Sequence, residues 1–582
     1  VNDPKLRALL RRNGVKVKEA MSHLGALEVE LPLGALEQVA ASAETKHLSL
    51  DSDVNFLGHV ETTTGAAVMR AQSGNSGLDG SGVGIAVLDS SIFNGHHAFL
   101  GKDGAKRIVV DMDFTGEGVN TDDPYGHGTH VAGLAAGSPG KPGDKNSTKF
   151  LGDYGGIAPN ATLVNLRVLD SKGAGKTSNL LKALDWLLVN HTKYNVRVAN
   201  LSLGTPAVES YQNDPLCRAV RRLVDAGVVV VAASGNNGKD GSGQKVYGLV
   251  HSPGNEPSAV TVGATNTLGT DARNDDSVAT YSSRGPTRSF WKDSDGVKHY
   301  DNLIKPDLVA PGNKLIAAES RKNYLVTNNP ALDAKNRGSD DTGLMYMSGT
   351  SMATPIVAGA AALLLQANPK LTPNMVKMIL MYTAQPLKGY NMFEQGAGQL
   401  NIEGAVRLAK LIRTDLDSST PLGVPLLTTD TSMLDESIIN GQTTLNGYTF
   451  PWSRGVIMNH TYATGLDLIT KYQKVYGLGI MLSDGIMLSD GIMLGDGVLV
   501  SDGIMLADSI LTSDGTPLGG GTFFLGAGIM LSDGIMLSDG IMLSDGIMLS
   551  DGIMLGDGIM LADGVTQSQS AMVNGEDSPH MQ

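Results

Sequence analysis

Between residues 63 and 413, short apolar runs alternate with stretches of helical periodicity, and this alternation limits the fold more than any other feature of the chain. The runs include Gly84 to Leu88, Thr162 to Leu166, Val198 to Ser202 and Val228 to Ala232. A strand that is apolar on both sides must be covered on both faces, and strands joined by helices run parallel. The pattern predicts an α/β fold with a mostly parallel sheet and helices on both faces. In such sheets ligands gather at the carboxyl ends of the strands.

At 582 residues the chain is too long for one ordinary core and predicts several units. Its 41% hydrophobic and 18% charged residues are a globular composition. A formal net charge of −14 argues against nucleic acid as a partner, because phosphate binding needs a basic face. The single cysteine, Cys217, rules out an intramolecular disulfide framework, and its helix-like surroundings make it a buried structural thiol. No uninterrupted apolar run of about 20 residues predicts a transmembrane segment. The chain begins at Val1 with neither Met nor a signal-like stretch, so either a leading segment has been removed or the sequence is a fragment.

Six regions follow from the composition. Residues 1–53 combine a strand-like Leu27 to Leu31, a helix-like Gly34 to Ala43 and a second strand, His47 to Leu50, in a small α+β unit. Residues 54–62 form a linker, 63–413 the α/β domain, and 414–477 a Thr, Ser and Asp rich connector. Residues 478–565 are built on the hexapeptide Ile-Met-Leu-Ser-Asp-Gly, and 566–582 form a polar tail. The repeat aspartates run from Asp484 to Asp514 and resume at Asp533 through Asp563 after a Gly-rich break. One repeat cannot bury its Ile and Leu, but stacked repeats can, which predicts a β-solenoid with Asp ladders at its corners. Exposed Met rows on such a solenoid would favour self-association or contact with a cell surface. The glycine-rich nonapeptide of calcium-binding β-rolls is absent.

Four polar residues fall at the ends of predicted elements. Asp89 follows the strand ending at Leu88. His127 lies in Gly126-His127-Gly128-Thr129-His130, where small residues open a helix. Ser351 lies in Gly349-Thr350-Ser351-Met352-Ala353, before the apolar run from Val357, so its hydroxyl meets the unpaired N–H groups of a helix start. Asn236 follows the strand ending at Ala232, and its amide can donate. Each has a plain structural alternative: a turn aspartate, a packing histidine, a helix cap, and a turn Asn close to Gly238. Together they supply an orienting carboxylate, a base, a nucleophile and an oxyanion donor. A lone His-x-x-His is a poor zinc signal, so His130 is assigned structural support, and no metal ligands are assigned.

The motifs Val87-Leu88-Asp89-Ser90, His127-Gly128-Thr129-His130, Ser234-Gly235-Asn236 and Gly349-Thr350-Ser351-Met352-Ala353, in this order, resemble the subtilisin superfamily over about residues 63–413. Lys305 to Gly312 and Gly396-Ala397-Gly398 support the match. The resemblance implies a subtilisin-like serine endopeptidase with Asp89, His127 and Ser351 as triad and Asn236 in the oxyanion hole. It further implies that Ser202, Leu203 and Gly204 pair with extended protein or peptide substrate. Ala233, Ser234 and Gly235 would wall the primary specificity pocket, whose floor falls near His251. No cofactor is required for the chemistry, while structural calcium is compatible with the loop at residues 138–156, which holds Asp144 and Asp153. The first 53 residues resemble the end of a propeptide that inhibits the enzyme in cis and is cut away between Leu48 and Thr64. A secreted or extracellular bacterial enzyme, made as a zymogen, is implied. The alternative is an inactive surface-display or binding module carried by the repeats. One departure from the family pattern is Ser91, where relatives have glycine, so the turn after Asp89 must accept a side chain.

Overall fold

A computed structural model of the chain describes residues 4–477 apart from 22–25, 44, 46–59, 102, 119–120, 140–153, 336–338 and scattered positions between 418 and 435. Beyond them it describes residues 510–511, 517–523 and 565–568. Two compact units are present, Val1–Phe56 and Leu57–Gln582. In the first, helix Pro4–Arg12 precedes an antiparallel pair, Lys16–Met21 with Ala26–Glu30, and a short helix, Leu36–Ala40. Leu10, Val15 and Val39 make its small core. The strand expected at residues 47–50 lies outside the described residues.

The second unit is built on a sheet whose strands, in chain order, are β1 (Gly84–Asp89), β2 (Ile108–Asp113), β3 (Thr162–Arg167), β5 (Val196–Leu201), β7 (Val229–Ala233), β9 (Val260–Asn266), β10 (Ser277–Val278) and β11 (Leu308–Pro311). Their spatial order is β10-β9-β7-β5-β1-β3-β2, with β11 on β9, and every pair is parallel except β10 with β9. The two-residue period of β1 divides its side chains between the two faces. Ile85 and Val87 join one core with helices α1 (His127–Ala136) and α4 (Thr350–Ala367), while Ala86 and Leu88 join the other with α2 (Thr177–Asn190) and α3 (Pro215–Asp225). Strand β7 does the same with Val229 and Val231 against Val230 and Ala232. The continuous apolar runs are thus explained by burial on both faces.

Helix α4 is long and apolar enough to cross a bilayer, but it is buried from Thr350 to Leu365 as the central helix of the unit. Gly359 lets α1 approach it: a Cβ there would stand 2.8 Å from the Ala135 carbonyl oxygen and 2.6 Å from Ile157 Cβ. Two buried lysines hold Lys305-Pro306-Asp307 in place. Lys305 and Lys377 Nζ lie 2.8 and 3.0 Å from the two oxygens of Asp307, which ties α5 (Pro373–Tyr382) to the start of β11.

Residues 414–477, whose Thr, Ser and Asp content reads as a connector, are packed into the main core through Leu426, Leu427, Trp452, Val456 and Tyr476. Composition misleads here because the apolar residues are dispersed among polar ones. The polar groups are used as well: Thr372 Oγ1 and Asn374 Nδ2 at the start of α5 donate to the carbonyls of Tyr476 and Val475. The hexapeptide repeats, and with them the β-solenoid, fall almost entirely outside the described residues. The tail beginning at residue 566 differs from expectation, since Val565–Ser568 is a strand.

Gly359→Ala is expected to destabilise the chain by about 1 to 3 kcal/mol through overpacking, whereas Gly77→Ala, with open space around its Cβ position, leaves stability within about 0.5 kcal/mol. Urea unfolding of both variants checks this.

Candidate active site

Asp89 ends β1 and Asn236 follows β7, while His127 and Ser351 lie at the starts of helices α1 and α4. Asp89 is the last residue of β1 and His127 the first of α1, and both are fully buried. Their contact is close: His127 Nδ1–H donates to Asp89 Oδ1 at 2.6 Å. Asp89 Oδ1 also accepts the Ser90 backbone N–H at 2.7 Å. The approach of helix to strand requires Gly128, because a Cβ there would lie 2.1 Å from the Ser91 carbonyl oxygen. Ser91, where a glycine was expected by resemblance, adopts φ 130°. This backbone is rare for a residue with a side chain, and Asn165 Nδ2 donates to its hydroxyl at 3.1 Å.

A residue that sequence reasoning missed fastens this corner. Asp123 is fully buried and accepts four hydrogen bonds, from Ser90 Oγ, Gly126 N–H, and the N–H and hydroxyl of Thr129, all at 2.9 Å. Ser90 Oγ in turn accepts the Gly128 N–H at 3.0 Å. Burial raises the Asp123 carboxyl above the usual carboxylate range against the pull of those donors, and the charge of Asp89 adds to the rise. The available signal was its place four residues before His127, ahead of a Pro-Tyr-Gly turn.

Ser351 stands in the first turn of α4, after Gly349 with φ 146°. It is locked to the corner after β5 by a reciprocal pair: Ser351 Oγ donates to the Ser202 carbonyl at 2.9 Å, and Ser202 Oγ donates to the Ser351 carbonyl at 2.9 Å. In the parallel register Val87 faces Asn200 on β5. Asp89, at the end of β1, and Ser202, just past the end of β5, therefore leave the sheet at the same rim. Asn236 reaches the same turn, its Oδ1 accepting the Thr350 N–H at 2.9 Å and the Thr350 hydroxyl at 3.1 Å.

Among the described residues, the buried polar atoms without a hydrogen-bond partner include His127 Nε2, Asn236 Nδ2 and Asp89 Oδ2. Each of these belongs to a side chain whose other polar atom is fixed, so each orphan atom is aimed. The Ser351 hydroxyl is turned to the Ser202 carbonyl and makes no hydrogen bond to His127. Rotation about its χ1 redirects it.

His130 lies one turn into α1 and donates Nε2–H to the Leu315 carbonyl at 3.0 Å; burial pushes its pKa down to about 3. That is the structural role expected for it. Ala233, Ser234 and Gly235 lead out of β7, and His251 packs beside them. The His251 N–H donates to the Ser234 carbonyl at 3.0 Å, and its ring stands 3.2 Å from the Cβ position of Gly235, which has φ 109°. Asn237 Nδ2 donates to His251 Nε2 at 2.7 Å, and burial lowers the His251 pKa to about 4. Cys217 is buried with its Sγ–H directed at Asn255 Oδ1, 3.1 Å away, and burial pushes the thiol well up. The loop read as compatible with calcium falls mostly outside the described residues, and among the described residues no group of His, Cys, Asp or Glu is arranged to hold a metal.

Leu203 and Gly204 begin β6 (Leu203–Pro206), which pairs antiparallel with β8 (His251–Ser252). Its other edge pairs antiparallel with β12 (Val565–Ser568), which also pairs with β4 (Ala174–Lys176). Strand β4 was not foreseen, because Ala-Gly-Lys carries no apolar period.

The Subtilase family model matches residues 80–404. Serine protease AprX of Bacillus subtilis (strain 168) is 33% identical over 403 residues, 67% of this chain and 81% of the relative. An extracellular serine proteinase of Thermus sp. (strain Rt41A) is 31% identical over 371 residues, 62% of this chain and 72% of the relative. Subtilisin Savinase of Lederbergia lenta is 34% identical over 333 residues, 57% of this chain and 94% of the relative.

The folded chain holds His130 neutral to about pH 3, while the unfolded chain protonates it below about 6.5. Its stabilising contribution is therefore complete above pH 6.5 and is lost as pH falls toward 3, by up to about 1.4 kcal/mol per pH unit. Urea unfolding in a Ser351→Ala background should find His130→Gln less stable at pH 7.5, with the gap narrowing at pH 5. A gap independent of pH would contradict this.

Proposed function

Because the chain belongs to the subtilase family and is a serine-type peptidase, we propose that Asp89, His127 and Ser351 form its catalytic triad and that Asn236 serves the oxyanion. The observation that carries this reading is the fully buried hydrogen bond of His127 Nδ1 to Asp89 Oδ1 at 2.6 Å, which leaves Nε2 open, together with Asn236, which is held through its oxygen by Thr350, the neighbour of Ser351.

In the proposed mechanism Ser351 Oγ leaves the Ser202 carbonyl and attacks the substrate carbonyl carbon while His127 Nε2 takes its proton. Asp89 fixes the tautomer, because a carboxylate can only accept, so Nδ1 keeps its hydrogen and Nε2 presents its lone pair. Asn236 Nδ2–H and the Ser351 N–H at the start of α4 hold the developing oxyanion. Collapse returns the proton to the departing amine and leaves an acyl-enzyme, which water then hydrolyses by the same steps. Subtilases need no cofactor for this chemistry.

The substrates are proteins or peptides, with a preference for bulky apolar or aromatic side chains where Ala233, Ser234 and Gly235 leave room. We place the enzyme outside the cell, where the Thermus relative, an extracellular serine proteinase by name, acts. The unit Val1–Phe56 fits the remnant of an inhibitory propeptide that makes the chain a zymogen.

Asn236→Leu is expected to lower kcat about 10² to 10³-fold with KM little changed, a magnitude measured on subtilisin itself. Asp89→Asn should lower kcat by about 10⁴ through the wrong imidazole tautomer. Steady-state hydrolysis of a peptide nitroanilide checks both, and kcat within threefold of the parent for either variant would defeat the assignment.

A further inference from the structure

Strand β12 is an inner strand of a four-stranded sheet, order β8-β6-β12-β4, antiparallel to both neighbours. Gln567 lies opposite Gly204 on one side and Ala174 on the other; Thr566 faces Gly175, Val565 faces Lys176, and Ser568 faces Leu203. Strands β4 and β6 pair with each other only through β12. Between them is a slot one strand wide, flanked by two main-chain edges with hydrogen bonds to give. Such edges take up extended peptide by strand addition, through main-chain contacts that accept most sequences.

The register relates this slot to the nucleophile. Ser568 stands opposite Leu203, the residue after Ser202, whose carbonyl holds the Ser351 hydroxyl. Since the pairing is antiparallel, later residues of β12 lie nearer Ser202, so the strand runs toward Ser351. Val565 and Thr566 are good strand formers, and residues 565–568 contain no charge and no proline to disturb the ladder.

Resting on the assignment of Ser351 as nucleophile and of Leu203 and Gly204 as residues that pair with extended substrate, we propose that Val565–Ser568 is the resident occupant of the slot between β4 and β6. The segment competes in cis with substrate, and strong affinity is not required of it, because covalent attachment keeps it at high local concentration. Incoming substrate must displace β12 to reach the paired edges of Ala174–Lys176 and Leu203–Pro206.

The test uses the full chain carrying Ser351→Ala, which cannot cut itself or a ligand. Binding of a fluorescein-labelled Ala-Ala-Pro-Phe peptide is followed by fluorescence anisotropy, with and without Gln567→Pro. Proline there removes an N–H from a strand paired on both edges and leaves the core residues untouched. The expected result is binding roughly fivefold or more tighter in the proline variant, together with faster amide exchange at residues 174–176 and 203–205. Gln567→Ala, which keeps the N–H, should bind like the parent. Equal affinity of the proline variant and the parent overturns the proposal. If neither chain binds the peptide, the assignment of Leu203 and Gly204 to substrate pairing falls and the proposal with it.

Discussion

A carboxylate and an imidazole can leave water together only when each satisfies the other, and the contact of Asp89 with His127 in a fully buried corner meets that condition. The rest of the site is arranged around it. Strand β1 must end at Asp89, α1 must begin at His127, and Gly128 must lack a side chain for the two to approach. Asp123, Ser90 and Thr129 supply the second set of hydrogen bonds that fixes this corner. In this corner His127 Nε2 and Asp89 Oδ2 are left without partners.

The same economy holds on the other side of the site. Thr350 occupies the oxygen of Asn236 and leaves its nitrogen directed, and Ser202 parks the Ser351 hydroxyl through a reciprocal pair. In the proposed oxyanion role Asn236, fixed at its oxygen, needs no reorientation, whereas the Ser351 hydroxyl must turn away from Ser202. Ser351 and Thr350 sit at a helix start, while Asn236 lies in the loop just past β7.

How much of this could be read from the sequence depended on how local the signal was. The doubly covered sheet was legible because β1, β3, β5 and β7 are apolar at successive positions, a pattern that only burial on both faces explains. Asp89, His127, Asn236 and Ser351 were legible because each sits at an element boundary within a small-residue motif. Asp123 was not, because an aspartate before Pro-Tyr-Gly reads as an ordinary turn until its four donors are seen converging on it. Residues 414–477 were misread because composition averages over dispersed apolar residues whose burial is a tertiary matter. Strands β4 and β12 were missed because their pairing is made by main chain, which leaves little trace in side chains. The strained turn at Ser91 was anticipated from a missing glycine and appears as a left-handed backbone.

In the proposed site, side chains from three separated parts of the chain act at one rim of the sheet as a single proton-transfer unit. Fluorophosphonate labelling of the full chain, with the modified residue located by peptide mass spectrometry, tests it most directly. The account predicts one modified side chain, Ser351, and loss of that labelling in His127→Ala although Ser351 is still present. A label on another serine, or labelling of Ser351 at an undiminished rate without the imidazole, would contradict it.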